Sequence, residues 1–298
     1  LGECADLAPD HPEVWYELGY CYDQLGRFDD AIAAYDKQID LEPYSENAWY
    51  NRGIVLNQLA RYADAVESYD FALAIRDDFA SAWYNKGNAL ANLSRPAEAV
   101  ESYLKVLEFE DGDAATYYYI GLSYEDLIQL PTAVEYLERA VQVDPLYADA
   151  WYGLGCCLDA ERRHDEALVC FGKALDLRPE AGEFWQARAD TEYNAGRLTD
   201  SLRSYARVVE LEPTNADAWL DLADTQYDAG AYAEALASYD RALTLDARSV
   251  DALLRRAHLL FTLDRRAEAI ASLRRAIALD PATREEVRRA YPALASDS

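Results

Sequence analysis

WYELG at residues 15–19, WYNRG at 49–53, WYNKG at 83–87 and WYGLG at 151–155 are one phrase written four times on a 34-residue grid. Trp15, Trp49, Trp83, Trp151, Trp185 and Trp219 all fall on that grid, and Tyr117 and Leu253 fill its two blanks. Eight units therefore follow one another without insertion or deletion, which marks a repeat architecture.

Working outward from the anchor, the fourth following position is always small: Gly19, Gly53, Gly87, Gly121, Gly155, Ala189, Ala223 and Ala257. Small side chains let two helices approach closely. Sixteen residues after the anchor stand Ala31, Ala65, Ala99, Ala133, Ala167, Ser201, Ala235 and Ala269. Four further on come the large apolar Tyr35, Tyr69, Tyr103, Leu137, Phe171, Tyr205, Tyr239 and Leu273, so small and large alternate across a contact. Pro43, Pro145, Pro179, Pro213 and Pro281 punctuate the end of five units, with Asp77, Asp111 and Ala247 in the other three. A proline there stops one helix and opens the next, so each unit reads as two helices and two short turns. Gly26, Gly196 and Gly230 lie between the two helices, where a left-handed residue suits a helix C-terminus.

This pattern resembles the tetratricopeptide repeat (TPR) family over essentially the whole chain; the units from residue 182 onward depart only in using Ala for Gly. The resemblance implies an all-α fold, a right-handed superhelical α-solenoid of antiparallel helix pairs. Repeats are expected at 12–45, 46–79, 80–113, 114–147, 148–181, 182–215, 216–249 and 250–281. Residues 1–11, with Cys4, Leu7 and Pro9 in phase, read as the tail of a preceding helix B, and residues 282–298 as a capping helix and tail. Arg284, Glu285, Glu286, Arg288 and Arg289 give that cap the polar face a terminal repeat requires. From that leading helix-B tail further repeats are expected upstream, and the absence of methionine even at position 1 leads to the expectation that the original start is missing.

Composition excludes several function classes. With 28 Lys/Arg against 55 Asp/Glu the formal charge is −27, a poor match for a phosphate backbone, and no nucleic-acid partner is expected. The acidity is uneven, since residues 252–298 hold nine Arg against six Asp/Glu. No apolar run approaches the ~18 residues of a membrane span. A cytoplasmic location is expected, with a secretory signal ahead of Leu1 left open. Cys4, Cys21, Cys156, Cys157 and Cys170 have neither metal-ligand spacing nor an even number. His11, His164 and His258 lie in separate repeats with no second ligand nearby. With no P-loop, G-x-S-x-G or Gly-rich dinucleotide turn either, no catalytic residue, metal or cofactor is assigned.

The tryptophans read as core, received by the small residues in phase with them, and Trp83→Ala is expected to cost about 3–5 kcal/mol. Cys21 and Cys157 read as small buried hydrophobes, and Cys156 as pointing toward the groove.

The resemblance also assigns helix A of each pair to a concave, partner-binding surface. Directly after the anchor stand Tyr16, Tyr50, Tyr84, Tyr118 and Tyr152. They read either as packing between neighbouring A helices or as a ladder of stacking and hydroxyl groups for a peptide. Asn51 and Asn85, joined by Asn88, are similar to the asparagine ladder with which some TPR superhelices hold a peptide backbone. The Lys and Arg of chaperone-type carboxylate clamps are missing from these faces. From repeat five onward the same surface turns acidic, with Asp190, Asp221, Asp224 and Asp228 prominent. An acidic channel captures a cationic segment in a salt-dependent way, although salt adaptation of a whole proteome would leave the same composition.

The reading is therefore a non-catalytic scaffold that binds an extended, basic peptide segment of a partner protein. One alternative is a homotypic assembly module, in which Arg255, Arg256, Arg265 and Arg266 dock on an acidic surface of a second copy. The other is the substrate-recruiting portion of a larger enzyme.

Overall fold

The computed structural model describes residues 9–290, and among these the chain forms seventeen helices and no strand. They are α1 (Pro12–Gln24), α2 (Phe28–Leu41), α3 (Glu46–Gln58), α4 (Tyr62–Ile75), α5 (Ala80–Asn92), α6 (Pro96–Phe109), α7 (Ala114–Asp126), α8 (Leu130–Val143), α9 (Ala148–Ala160), α10 (His164–Leu177), α11 (Gly182–Asn194), α12 (Leu198–Leu211), α13 (Ala216–Asp228), α14 (Tyr232–Leu245), α15 (Val250–Thr262), α16 (Arg266–Leu279) and α17 (Thr283–Ala290). Odd-numbered helices up to α15 carry the anchors and are the A helices; the even-numbered ones are B helices. The expected tail of a preceding helix falls almost wholly outside the described residues, as does everything beyond Ala290.

The chain divides into two compact units, Leu1–Cys157 and Leu158–Ser298, with the division inside α9. Within the first unit α1 touches α3, α3 touches α5 and α5 touches α7; within the second α13 touches α15. Successive A helices thus meet directly. Among the described residues no helix is long and apolar enough to cross a membrane.

Each A helix ends on a left-handed residue, which lets the chain reverse within three residues. The three glycines expected there, Gly26, Gly196 and Gly230, have φ of 69°, 74° and 76°. The other five repeats adopt the same conformation with Ala60, Ser94, Ile128, Arg162 and Asp264, all at φ between 56° and 63°. A side chain makes that conformation cost roughly 1–2 kcal/mol, which the hydrogen bonds it closes offset. Examples are Arg27 N–H to the Tyr22 carbonyl at 2.8 Å and Arg61 N–H to that of Leu56 at 2.9 Å.

The small and large positions meet as expected. Tyr35, Tyr69, Tyr103, Leu137, Phe171, Tyr205, Tyr239 and Leu273 are all buried. A Cβ added to Gly53 would lie 2.5 Å from the Tyr69 ring, and one added to Gly19 would lie 2.6 Å from that of Tyr35. These glycines house the B-helix ring, and here the tryptophan expectation needs correction. All six tryptophans are only half-buried. Each donates its indole N–H to the carbonyl six residues earlier: Trp15 to Pro9 at 2.8 Å, Trp49 to Pro43 at 3.0 Å, Trp83 to Asp77 at 2.8 Å, with Trp151, Trp185 and Trp219 alike. The anchor is thus a strap from an A helix to the turn before it, and the centre of the core is the B-helix aromatic. Cys157 and Cys170 are buried, whereas Cys21 and Cys156 are partly exposed.

Candidate functional site

In the first unit the five tyrosines that follow the anchors, Tyr16, Tyr50, Tyr84, Tyr118 and Tyr152, are half-buried. Tyr16, Tyr50 and Tyr84 lie edge-on or tilted against Tyr35, Tyr69 and Tyr103, with centroids 6.1, 6.1 and 5.9 Å apart. Tyr118 sits between Tyr119 at 5.2 Å and Tyr147 at 5.0 Å. The packing role is thus observed for these rings.

The asparagines are tied to those hydroxyls. Asn51 Nδ2 donates to Tyr16 Oη at 2.9 Å, and Asn85 Nδ2 donates to Tyr50 Oη at 3.1 Å. Each bond links one repeat to the next. Asn88 Oδ1 accepts from Tyr103 Oη at 2.7 Å within its own repeat. The amides therefore brace the face, and a phenol oxygen that accepts keeps its O–H to offer. Burial, then Tyr119 and Asp113, push the Tyr84 hydroxyl up to about 12 against the pull of Asn88, so it stays a neutral donor.

In the second unit the same positions carry carboxylates. Asp190 accepts from the Tyr205 hydroxyl, and Asp224 from that of Tyr239 at 2.6 Å. Both bonds span the distance that Tyr103 and Asn88 span in the first unit, an A-to-B link fifteen residues long. The link between repeats also recurs: Gln186 Nε2 donates to Asp221 at 2.9 Å, and the Tyr193 hydroxyl donates to Asp228. Gln186 reaches Asp190 as well, at 3.3 Å, which brings Asp190 and Asp221 to one amide.

Asp190, Asp221 and Asp228 take these bonds from neutral donors, whereas Asp224 also pairs with Arg255. Asp190 is raised above the ordinary carboxylate range by burial first, then by Asp221 and Asp159, with Tyr205 and Gln186 opposing. Asp221 is raised by burial, against Gln186 and Arg255, with Asp217 and Asp251 adding to it. Two part-buried carboxylates that share one amide thus each hold a proton more readily than an exposed aspartate.

Three features escape a reading of periodicity. Tyr69 is buried with its hydroxyl unpartnered, because Ile54 stands where repeats three, six and seven have Asn88, Asp190 and Asp224. Arg52, Lys86 and Arg256, three residues after their anchors, reach back to Asp36, Asp70 and Asp240 of the preceding repeat at 2.7, 2.6 and 2.6 Å. The fifteen-residue spacing between the Tyr and its acceptor was the available signal for the first. The four arginines of the homotypic alternative already face carboxylates of their own chain: Arg255 faces Asp224 and Asp251, Arg256 Asp240, Arg265 Glu268, and Arg266 Asp264.

Tetratricopeptide-repeat models match residues 12–45, 80–113 and 148–180, 187–252, and 226–293. No curated relative matches the chain. Among solved structures, the C-terminal part of a TPR repeat-containing protein from Cytophaga hutchinsonii is 17% identical with a TM-score of 0.70, over 79% of this chain and 97% of that one. YrrB is 24% identical with a TM-score of 0.54, over 60% of this chain and 93% of its own. MamA from Desulfovibrio magneticus RS-1 is 25% identical with a TM-score of 0.55, over 57% and 96%.

Proposed function

Because the chain belongs to the tetratricopeptide repeat family and is built as a protein-interaction scaffold, we propose that it binds an extended, basic segment of a partner protein along its A-helix faces, with no chemistry of its own. The observation that carries this reading is the set of aspartates in repeats six and seven. Asp190, Asp221 and Asp228 take their hydrogen bonds from hydroxyl and amide donors, and Arg255 is the cation that acts on Asp221. Fixed carboxylates fastened by neutral donors set up a field that draws a cationic segment and disfavours an acidic one. The tyrosine and asparagine face of the first unit supplies amphipathic rings and amides, which suit a peptide backbone of any sequence. YrrB, a TPR protein with an unusual peptide-binding site, is a precedent for the use of the fold.

In the homotypic alternative a second copy would have to compete with the carboxylates that these arginines already face within the chain. Titrating a Lys/Arg-rich peptide and a neutral peptide of equal length against the chain tests the reading. Affinity for the basic peptide is expected to fall steeply between about 50 and 500 mM salt, as the Debye length shrinks from roughly 14 to 4 Å. A salt-independent affinity, or equal binding of the neutral peptide, would overturn it.

A further inference from the structure

A cavity of ≈ 400 Å³ opens at repeats seven and eight of the second unit, lined among others by Asp224, Tyr227, Asp251, Arg255, His258 and the cap residue Val287. Its two carboxylates stand on successive A helices, α13 and α15, and one guanidinium spans them. Arg255 Nη1 pairs with Asp224, while Nη2 lies 2.8 Å from Asp251. Tyr239 donates to Asp224 from the neighbouring B helix at 2.6 Å and fixes that carboxylate. The Tyr227 and His258 rings, with centroids 5.7 Å apart, form an aromatic wall. Two carboxylates placed for a fork, flat rings beside them and an apolar residue from the cap are the elements of guanidinium recognition. The resident guanidinium is loosely held, since the Arg255 side chain remains 42% exposed and ion pairs at such sites are weak.

We propose that this cavity is an arginine-binding pocket, occupied by the chain's own Arg255 until an arginine of the partner displaces it. The proposal rests on the basic-partner reading and narrows it to arginine. An ammonium is a compact point charge without the planar, pre-organised fork that spans Asp224 and Asp251 in the resident pair, so lysine is the poorer occupant. The resident group also acts as a gate, because a partner without an arginine in register leaves Arg255 in place and gains nothing from Asp224 or Asp251.

The probe is N-acetyl-argininamide, titrated into the full chain and into R255Q while NMR follows the Tyr and His ring signals. R255Q is expected to bind it about tenfold more tightly than the unaltered chain, from the loss of two competing ion pairs. N-acetyl-lysinamide should gain less than twofold, and R255Q combined with D251N should lose the gain. Equal affinity of the two proteins for the arginine probe, or an equal gain for the lysine probe, overturns the proposal. If circular dichroism shows R255Q unfolded, R255K carries the same test: it keeps a cation on Asp224 without the fork, and no gain for the arginine probe overturns the proposal. The two readings fail separately. A basic peptide that binds in a salt-dependent way while the probe discriminates nothing removes the pocket and leaves the acidic face standing. A positive probe result with no peptide binding does the reverse.

Discussion

Repeat three in the first unit and repeat seven in the second make the same link with different chemistry. Tyr103 on α6 donates to Asn88 on α5, and Tyr239 on α14 donates to Asp224 on α13, at 2.7 and 2.6 Å. The B-helix ring packs against a small residue in both, Gly87 in one and Ala223 in the other. One acceptor is neutral and the other is a carboxylate, so the two units share a scaffold and differ in the field at its surface. Packing fixes the small and large positions, while the acceptor on helix A is an amide in one repeat and a carboxylate in the other with the same fifteen-residue bond. Under the proposed function, the fold and the partner preference are thus written in separate sets of residues.

The largest expected effect tests the shared scaffold. Trp83→Ala removes a half-buried ring and its bond to the Asp77 carbonyl, and should cost about 2–3 kcal/mol in chemical denaturation. That lies below the cost expected for a fully buried tryptophan. Repeat eight shows the strap being replaced: Leu253 stands at the anchor, and an Arg275 guanidinium nitrogen donates to the Ala247 carbonyl instead. Arg275→Ala should therefore be measurably destabilising, unlike a typical surface arginine.

A graded series sharpens the contrast between units. Tyr239→Phe takes a donor from a carboxylate and should cost about 2 kcal/mol, whereas Tyr103→Phe takes one from an amide and should cost about 1 kcal/mol. Tyr69→Phe deletes a buried hydroxyl that has no partner, and is expected to be neutral or stabilising by up to about 1 kcal/mol. Equal losses at all three positions would break the comparison.

The smallest effect is with pH. Asp190 and Asp221 take up protons more readily folded than unfolded, chiefly because they are buried. The native state then holds more protons in the window between the ordinary and the raised carboxylate range, so their contribution to stability grows as pH falls into that window from 7 and is lost as pH rises through it. A thermal midpoint that climbs by a few degrees at most between pH 7 and 5, and climbs less in D190N/D221N, is expected. Identical pH profiles for the two proteins would remove the coupling between these carboxylates.

The repeat grid was legible in the sequence because packing demands a fixed residue size at a fixed spacing. The depth of the tryptophans was not, since periodicity gives the face of a helix and not its distance from the centre. The left-handed turns were legible only where glycine occupies them, and Ile128 and Arg162 adopt the same φ without a compositional sign. The candidate site residues were chosen by their position on helix A. What they bond to depends on side-chain reach across fifteen or thirty-five residues, which no local window contains. Asn51 thus looked like a peptide contact and is first a brace to Tyr16, while Asp190 looked like surface charge and is a part-buried acceptor.

The central claim is that the second unit's carboxylates select a cationic partner, and calorimetry on one variant tests it most directly. A Lys/Arg-rich peptide of about ten residues is titrated at low salt into the chain and into D190N/D221N/D228N, which removes three charges, keeps the side-chain shapes and leaves the Asp224–Arg255 pair intact. The account predicts that affinity falls about tenfold or more while the helical circular dichroism signal is unchanged. Equal affinity for the two proteins would contradict it.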